Sequence, residues 1–271
     1  MKLGFIDYYL DEFHANKYPA WIKEASGGEI EVAYAYAKID SPIGGLTTEQ
    51  WCKEYQVQQI HTIEELVEKS DGIIVLSPDN PEQHEELCQL PLKSGKRTYV
   101  DKTFAETKEI AERLFALANA HNTPCYSASA LRYAEEFAGI EKPQVANIAS
   151  WGPGPLAGYS IHQLEPIVAL MGADISKIIP TGTKEWPAFV CEYRDGRRAS
   201  FSHHGWECPF TMAVGLKDGS TKVLTIESDF FRPFIADMVN FFRTGQASVP
   251  QEETIAIIAA IETAVKTQPA L

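Results

Sequence analysis

Along the first 127 residues, short β-rich apolar runs alternate with longer stretches of helical periodicity. The runs at 3–6, 31–36, 72–76, 97–100 and 124–126 predict five strands, the first four short enough to be buried within a sheet. Between residues 106 and 121, Ile110, Ala111, Leu114, Phe115, Leu117 and Ala118 recur at spacings of three and four, which predicts an amphipathic helix with Thr107 or Glu106 as its cap. Strand and helix in repetition is the pattern of βαβ units around a parallel sheet. Past residue 128 the rhythm changes. Apolar runs at 145–151, 189–193, 199–203, 211–216 and 222–226 follow one another, with Asp195-Gly196 and Asp218-Gly219 placed as hairpin turns. Helical patterns fall at 163–171, 232–243 and 252–266. The expectation is an α/β domain over residues 1–127, then an α+β domain over 128–271 whose sheet is mostly antiparallel and open on one face. The alternation Phe189, Cys191, Tyr193 and Phe201 predicts an apolar face that a second copy covers, giving a homodimer or higher homo-oligomer.

Composition narrows the partners. Of 271 residues 45% are hydrophobic, enough for two modest cores. Asp and Glu total 37 against 24 Lys and Arg, a net charge of −13 that repels phosphate backbones and anionic membranes. Nucleic acid is excluded as an expected partner. The five cysteines, at 52, 88, 125, 191 and 208, lack the close pairs of structural zinc or redox sites and read as thiols in a reducing compartment. No run approaches the roughly 18 apolar residues of a membrane span, and the first residues, with Asp7, Asp11 and Glu12, lack the apolar segment of a signal peptide. The expectation is a cytoplasmic protein with a small-molecule partner.

Ser77-Pro78-Asp79-Asn80-Pro81-Glu82-Gln83-His84 is similar to the strand-end Thr-Pro-Asn segment, and the histidine after it, of the glucose-fructose oxidoreductase-like (Gfo/Idh/MocA) dehydrogenases, and further segments resemble that family in order. Gly95-Lys96-Arg97-Thr98-Tyr99-Val100-Asp101-Lys102-Thr103 resembles its Gly-Lys, strand, Glu-Lys-Pro motif, with Asp101 and Thr103 as replacements and Lys102 kept. Residues 126–133, Ile161-His162-Gln163-Leu164-Glu165, Leu170-Met171-Gly172-Ala173 and Phe241-Phe242-Arg243-Thr244-Gly245 continue the likeness. The resemblance implies a Rossmann-like nucleotide-binding domain followed by a substrate and dimerisation domain.

It also implies a chemistry: a lysine and a histidine manage a hydroxyl proton while hydride passes to nicotinamide. Those positions are Lys102 and His162, expected to converge on one cleft, with Glu165 on the same helical face as His162 and placed to orient it. Ser77, Pro78, Asn80 and Asp101 stand where the family touches its cofactor, NAD or NADP. Read without the family, Lys102 is a solvated loop lysine, His162 a helix-start histidine bonded to backbone, Glu165 an exposed glutamate, and Asp101 a partner of Lys102 or a helix cap. Where the family often has an aspartate four residues before the histidine, this chain has Gly158. His84 reads as structural, and Glu141-Lys142-Pro143 as a coincidental copy of the family tripeptide. His203-His204 is no metal pair, because neighbours on a strand point to opposite faces.

The first turn departs most. A dinucleotide fold wants G-x-G-x-x-G after its first strand so that backbone amides can approach pyrophosphate. Here Asp7, Tyr9 and Glu12 replace the three glycines. One carboxylate about 4 Å from a phosphate costs on the order of 1 kcal/mol in water and about 4 kcal/mol at an effective dielectric near 20. Asp40 stands where a ribose hydroxyl is held and Lys38 where a 2′-phosphate is met, although both also read as exposed loop charges. Two functions fit: an NAD(P)-dependent oxidoreductase of a sugar, cyclitol or related polyol, or a cofactor-free relative serving as a binding or regulatory subunit or as a non-redox acid-base enzyme.

Overall fold

The computed structural model describes residues 1–268. The described chain forms two compact units, Met1–Ser127 with Arg232–Gln251, and Ala128–Phe231 with the residues from Glu252 to 268. In the first, strands β1 (Lys2–Asp7), β2 (Glu31–Ala37), β3 (Gln58–Gln59), β4 (Gly72–Val75), β5 (Thr98–Val100) and β6 (Cys125–Tyr126) make one parallel sheet in the order β3-β2-β1-β4-β5-β6. Strand order reverses between β1 and β4, the crevice where open α/β sheets bind ligands. All of β4 and β5 is buried, as strands covered by helices on both faces must be. The crossover helices are α1 (Phe13–Ala25), α2 (Thr48–Glu54), α3 (Ile63–Lys69), α4 (His84–Leu87), α5 (Gln89–Lys93) and α6 (Lys108–Ala120). Thr107 caps α6 by accepting from the Ile110 amide, and Ala111, Leu114, Phe115 and Ala118 are its buried face.

The second unit carries β7 (Val145–Pro153), β8 (Ile175–Pro180), β9 (Ala188–Tyr193), β10 (Arg198–His204), β11 (Thr211–Leu216) and β12 (Thr221–Thr225), with α7 (Leu156–Met171), and the chain ends through α8 (Phe231–Thr244) and α9 (Gln251–Thr267). The sheet order is β12-β11-β7-β10-β9-β8, antiparallel throughout except where β10 runs beside β7. Both predicted Asp-Gly hairpins form, with Gly196 and Gly219 at φ 87°. That value suits glycine and few other residues. One face of the sheet packs on α7 and α9.

That packing corrects the expected dimer face. Phe189, Cys191, Tyr193 and Phe201 belong to the core with Leu164, Ile167 and Val168 of α7 and Ile257 and Ile261 of α9. The opposite face carries Val190, Ser200, Ala149, Ala213 and Val223 in register across β9, β10, β7, β11 and β12. It is small-chained and uncharged along that row.

The expected division at residue 128 also needs one amendment: from Arg232 onward α8 belongs to the first unit. Its buried stripe, Phe234, Ile235, Met238, Val239, Phe241 and Phe242, meets the aromatic edge of the parallel sheet. The Phe241 and Tyr126 rings lie 4.7 Å apart and those of Phe234 and Tyr99 5.9 Å apart. The helix has an amphipathic pattern, but its destination is set by partners more than 100 residues earlier. No helix among the described residues is long and apolar enough to cross a membrane.

A consequence can be measured at Gly72. A Cβ there would sit 2.8 Å from two carbons of the Phe242 ring. Gly72→Ala is expected to destabilise the protein by about 1–3 kcal/mol through overpacking, and Phe242→Leu in the same chain to recover part of that loss. Urea unfolding of the single and double variants checks both statements; a neutral Gly72→Ala contradicts them.

Candidate functional site

β1 ends at Asp7, and five residues later Glu12 is the N-cap of α1. The first amides of a helix have no intrahelical acceptors, which is why phosphate settles there in dinucleotide folds. In this chain a carboxyl group already occupies them. Glu12 Oε2 accepts from the His14 amide at 2.7 Å, and Oε1 accepts from the Ala15 amide. Asp7 is buried, its Oδ1 accepting from the Tyr8 amide at 2.7 Å and from the Ser77 hydroxyl at 2.9 Å. Tyr9, at the second glycine position, is buried as well. Burial first, and then the nearby Asp7, pushes Glu12 up to about 8; burial also pushes Asp7 well above the usual carboxylate range. The expected obstacle of two full charges is therefore amended. At neutral pH Glu12 keeps its proton, and what stands against phosphate there is occupancy of the amides and side-chain bulk.

The adjoining strand end holds Asp101, fully buried after β5. Its Oδ2 meets His14 Nδ1, and its Oδ1 accepts from the Tyr99 hydroxyl at 3.1 Å and the Lys102 amide at 2.8 Å. Although burial works against the charge, His14 and the Lys102 amide hold this carboxyl below its ordinary range. The Lys102 side chain, 13% exposed, gives its ammonium to the Pro78 carbonyl at 3.2 Å and lies 3.9 Å from Asp79. Lys102, Asp101, Pro78 and Ser77 thus gather at the C-terminal edge of β4 and β5. Ser77 faces inward at φ 78°, accepting from the Tyr8 amide while donating to Asp7. Asn80 donates to Glu82 at 2.9 Å. His84 bridges the Phe104 and Leu76 carbonyls in the core, the structural part expected of it. Asp40 accepts from the Thr48 amide, and Lys38 pairs with Glu86 at 2.7 Å.

In the second unit His162 lies on α7, its Nδ1 2.7 Å from the Ser129 hydroxyl. Glu165 is not the exposed glutamate that its residue type alone suggests. It is 2% exposed, takes the Ser129 amide at 3.1 Å, and forms an ion pair with Arg132, which also reaches Glu253 at 2.6 Å. Ser129 therefore stands between Glu165 and His162, an arrangement invisible in the sequence because Ser129 and His162 are 33 residues apart. The helix starts at Leu156, well before the expected 163, and Gly158 has open space where a Cβ would point. His203 is buried against Ser160 and the Gly154 carbonyl while His204 is exposed, as strand alternation requires. No three His, Cys, Asp or Glu side chains among the described residues cluster as a metal site.

Residues 39–129 match the family model GFO_IDH_MocA, described as an oxidoreductase family with an NAD-binding Rossmann fold. That segment, about a third of the chain, is similar to the Gfo/Idh/MocA oxidoreductases. The fold agrees along nearly the whole chain: a dehydrogenase (MviM) from Clostridium difficile superposes with a TM-score of 0.75 at 17% identity, covering 98% of this chain and 99% of its own. A Gfo/Idh/MocA family oxidoreductase from Vibrio cholerae gives 0.71 at 14%, covering 96% of each chain. UDP-N-acetylglucosamine 3-dehydrogenase GnnA from Acidithiobacillus ferrooxidans gives 0.75 at 12%, covering 99% of this chain and 96% of its own. No curated protein sequence matches.

The Gfo/Idh/MocA match begins at residue 39 and so leaves out the β1–α1 turn. NAD and NADP do not fit that turn: the amides that would hold pyrophosphate are taken by Glu12, and side chains fill the glycine positions. The same geometry makes stability depend on pH. The native state keeps a proton on Glu12 that the unfolded chain releases near 4.5 and the folded chain releases near 8. Stability is therefore full below the lower value and is lost as pH rises across that window. The melting temperature is expected to fall between about pH 5 and pH 8.5, and Glu12→Gln, which keeps an acceptor for the amides, to flatten that slope; a melting temperature that rises over this range contradicts the assignment.

Proposed function

We propose that this Gfo/Idh/MocA-like chain performs non-redox acid-base chemistry on a small hydroxylated, carbohydrate-like molecule, with Lys102 of the first unit as its proton-handling group and no NAD or NADP in the usual pyrophosphate position. The observation that carries the reading is the Glu12 carboxyl on the His14 and Ala15 amides. Lys102 supports it by its place at a parallel-strand end with a carbonyl acceptor and a distant carboxylate, an ammonium held but not buried in an ion pair. Within the second unit, His162, with Ser129 on Nδ1 and Glu165 steadying Ser129 from behind, is a candidate acid-base group of its own. Pro78 and Asn80, both half-buried, then border a substrate edge and not a cofactor groove, with Ser77 and Asp101 buried behind them.

A second reading, an NAD(P)-dependent oxidoreductase of a sugar, cyclitol or polyol, is favoured by the family model, which spans β3 to β6 and includes Lys102. Cytoplasmic residence and a homodimer remain part of both readings. For the dimer the outer row of the second sheet, Ala149, Val190, Ser200, Ala213 and Val223, is the proposed face, since a row of small uncharged side chains lets a second copy approach closely.

Titration with NADH and NADPH, followed by fluorescence, separates the two. The unmodified protein is expected to show no micromolar binding, and Glu12→Gly to gain measurable affinity; micromolar binding by the unmodified chain returns the oxidoreductase reading. For any substrate turned over, Lys102→Ala is expected to lower kcat/KM by about 10²–10⁴ with little change in melting temperature, the scale of a lost acid-base group.

A further inference from the structure

Three cationic side chains from separate parts of the second unit border one cavity of about 540 Å³. Lys142 lies in the turn Lys142–Gln144 that leads into β7, Arg197 in the β9–β10 hairpin and Lys217 in the β11–β12 hairpin. Strand direction brings them together. With Val145 of β7 opposite Leu216 and Asn147 opposite Arg198, the start of β7 and both Asp-Gly turns fall at one end of the sheet. The Lys217 amide donates to the Gln144 carbonyl at 2.9 Å, which ties its hairpin to the segment carrying Lys142. Arg197 donates to the Val145 carbonyl at 3.3 Å and to the Met171 carbonyl at 2.8 Å, and its guanidinium lies 5.5 Å over the Tyr193 ring. That cation is held in place. Of the two acids on the same lining, Asp195 pairs with Arg197 at 2.7 Å and Glu253 with Arg132 at 2.6 Å. The Arg197 amide and guanidinium hold the Asp195 carboxyl below its ordinary range, and Lys217 adds to them. Neither Lys142 nor Lys217 forms an ion pair among the described residues. Two unpaired ammonium groups therefore border one concavity in a chain of net charge −13.

We propose that this cavity binds a small phosphorylated polyol or sugar, with its phosphate on Lys142, Lys217 and Arg197 and its hydroxyl groups on Glu253 and the carbonyl end of α7. A phosphate monoester carries a charge of about −1.5 to −2 at neutral pH, which two ammonium groups match. Lysine meets phosphate as a point charge and arginine as a planar fork, so the three groups supply complementary contacts. The rest of the wall is the end of α7, where the last carbonyls of a helix lack intrahelical donors. Arg197 takes the Met171 carbonyl, and the carbonyls before it are acceptors suited to hydroxyl groups. The cavity falls within the range of about 300–1,000 Å³ usual for small-molecule sites. It is not the place of His162, which sits more than two turns earlier on α7, about 12 Å away along the helix at a rise of about 1.5 Å per residue. Glu141-Lys142-Pro143, a coincidence as a family tripeptide, thus has a use of its own.

The test is a titration of the full ²H,¹⁵N-labelled chain with D-glucose 6-phosphate, at an ionic strength of about 0.15 M so that distant charges are screened. The amides of Gly172, Arg197 and Lys217 are followed by NMR, and glucose, sulfate and malate are titrated in separate arms. The three amides are expected to shift and saturate at submillimolar glucose 6-phosphate, with no response to glucose. Sulfate and malate are expected to bind at least about tenfold more weakly, and the Lys142→Ala, Lys217→Ala double variant to lose about tenfold or more in affinity for glucose 6-phosphate, the scale of hydrogen bonds to a charged group. Both lysines are exposed, so the double variant should melt with the unmodified protein. An absence of saturating shifts up to about 10 mM, shifts confined to amides away from the cavity, or unchanged affinity in the double variant overturns the site. Malate or sulfate binding as tightly as glucose 6-phosphate overturns the ligand class, because the cavity then takes any small anion. The comparison of ligands is made on the unmodified chain and stands whatever the variant does. Every amide read belongs to the second unit, so the result does not depend on the chemistry proposed for Lys102.

Discussion

The carboxyl of Glu12 on the first amides of α1 is the contact from which the rest of this site follows. A helix start beside the switch point of a parallel sheet offers unpaired donors and a favourable dipole worth about 0.3–1 kcal/mol per exposed charge. In a dinucleotide protein that offer is left open for a ligand, which glycines make possible by keeping side chains away. Here the chain satisfies the donors itself. The arrangement costs desolvation of a carboxyl, which is why Glu12 holds its proton up to about 8 and Asp7 beside it is raised as well.

Once the cradle is closed from within, neighbouring groups acquire other partners. Ser77, at a strand end, spans Asp7 and the Tyr8 amide; Asp101, on the next strand, gathers His14, Tyr99 and Lys102. Positions that a family comparison assigns to cofactor contact have become one hydrogen-bonded layer along the edge of the sheet. The Rossmann-like frame persists beneath it, in the strand order and in the crossover helices.

The sequence carried the frame more fully than the site. The parallel strands and α6 were legible because buried strands read as short apolar runs and an amphipathic helix repeats about every 3.6 residues. β3 was not, since Gln58-Gln59 joins the edge by backbone alone and leaves no apolar signature. β8 was passed over for a similar reason: Ile175–Pro180 lies at the edge of the second sheet with only Ile178 buried. Which face of that sheet was covered could not be read either, because alternation tells two faces apart without saying which one a helix will take. The absent glycines were plain in the sequence, and so was the doubt over pyrophosphate. What replaced it was not: capping by Glu12, the Asp101–His14 contact and the Glu165–Arg132 pair are made between residues whose spacing in the chain carries no signal of their meeting.

Whether Glu12 fills the anion site of α1 is tested most directly at the two amides it binds. Amide resonances of His14 and Ala15, followed by NMR while ADP-ribose is added to the unmodified protein and to Glu12→Gly, report occupancy of the cradle without reference to turnover. Neither amide is expected to move in the unmodified protein up to millimolar ligand, whereas both should show saturating shifts in the variant. Saturating shifts of both amides at micromolar ligand in the unmodified protein would contradict a cradle filled by Glu12.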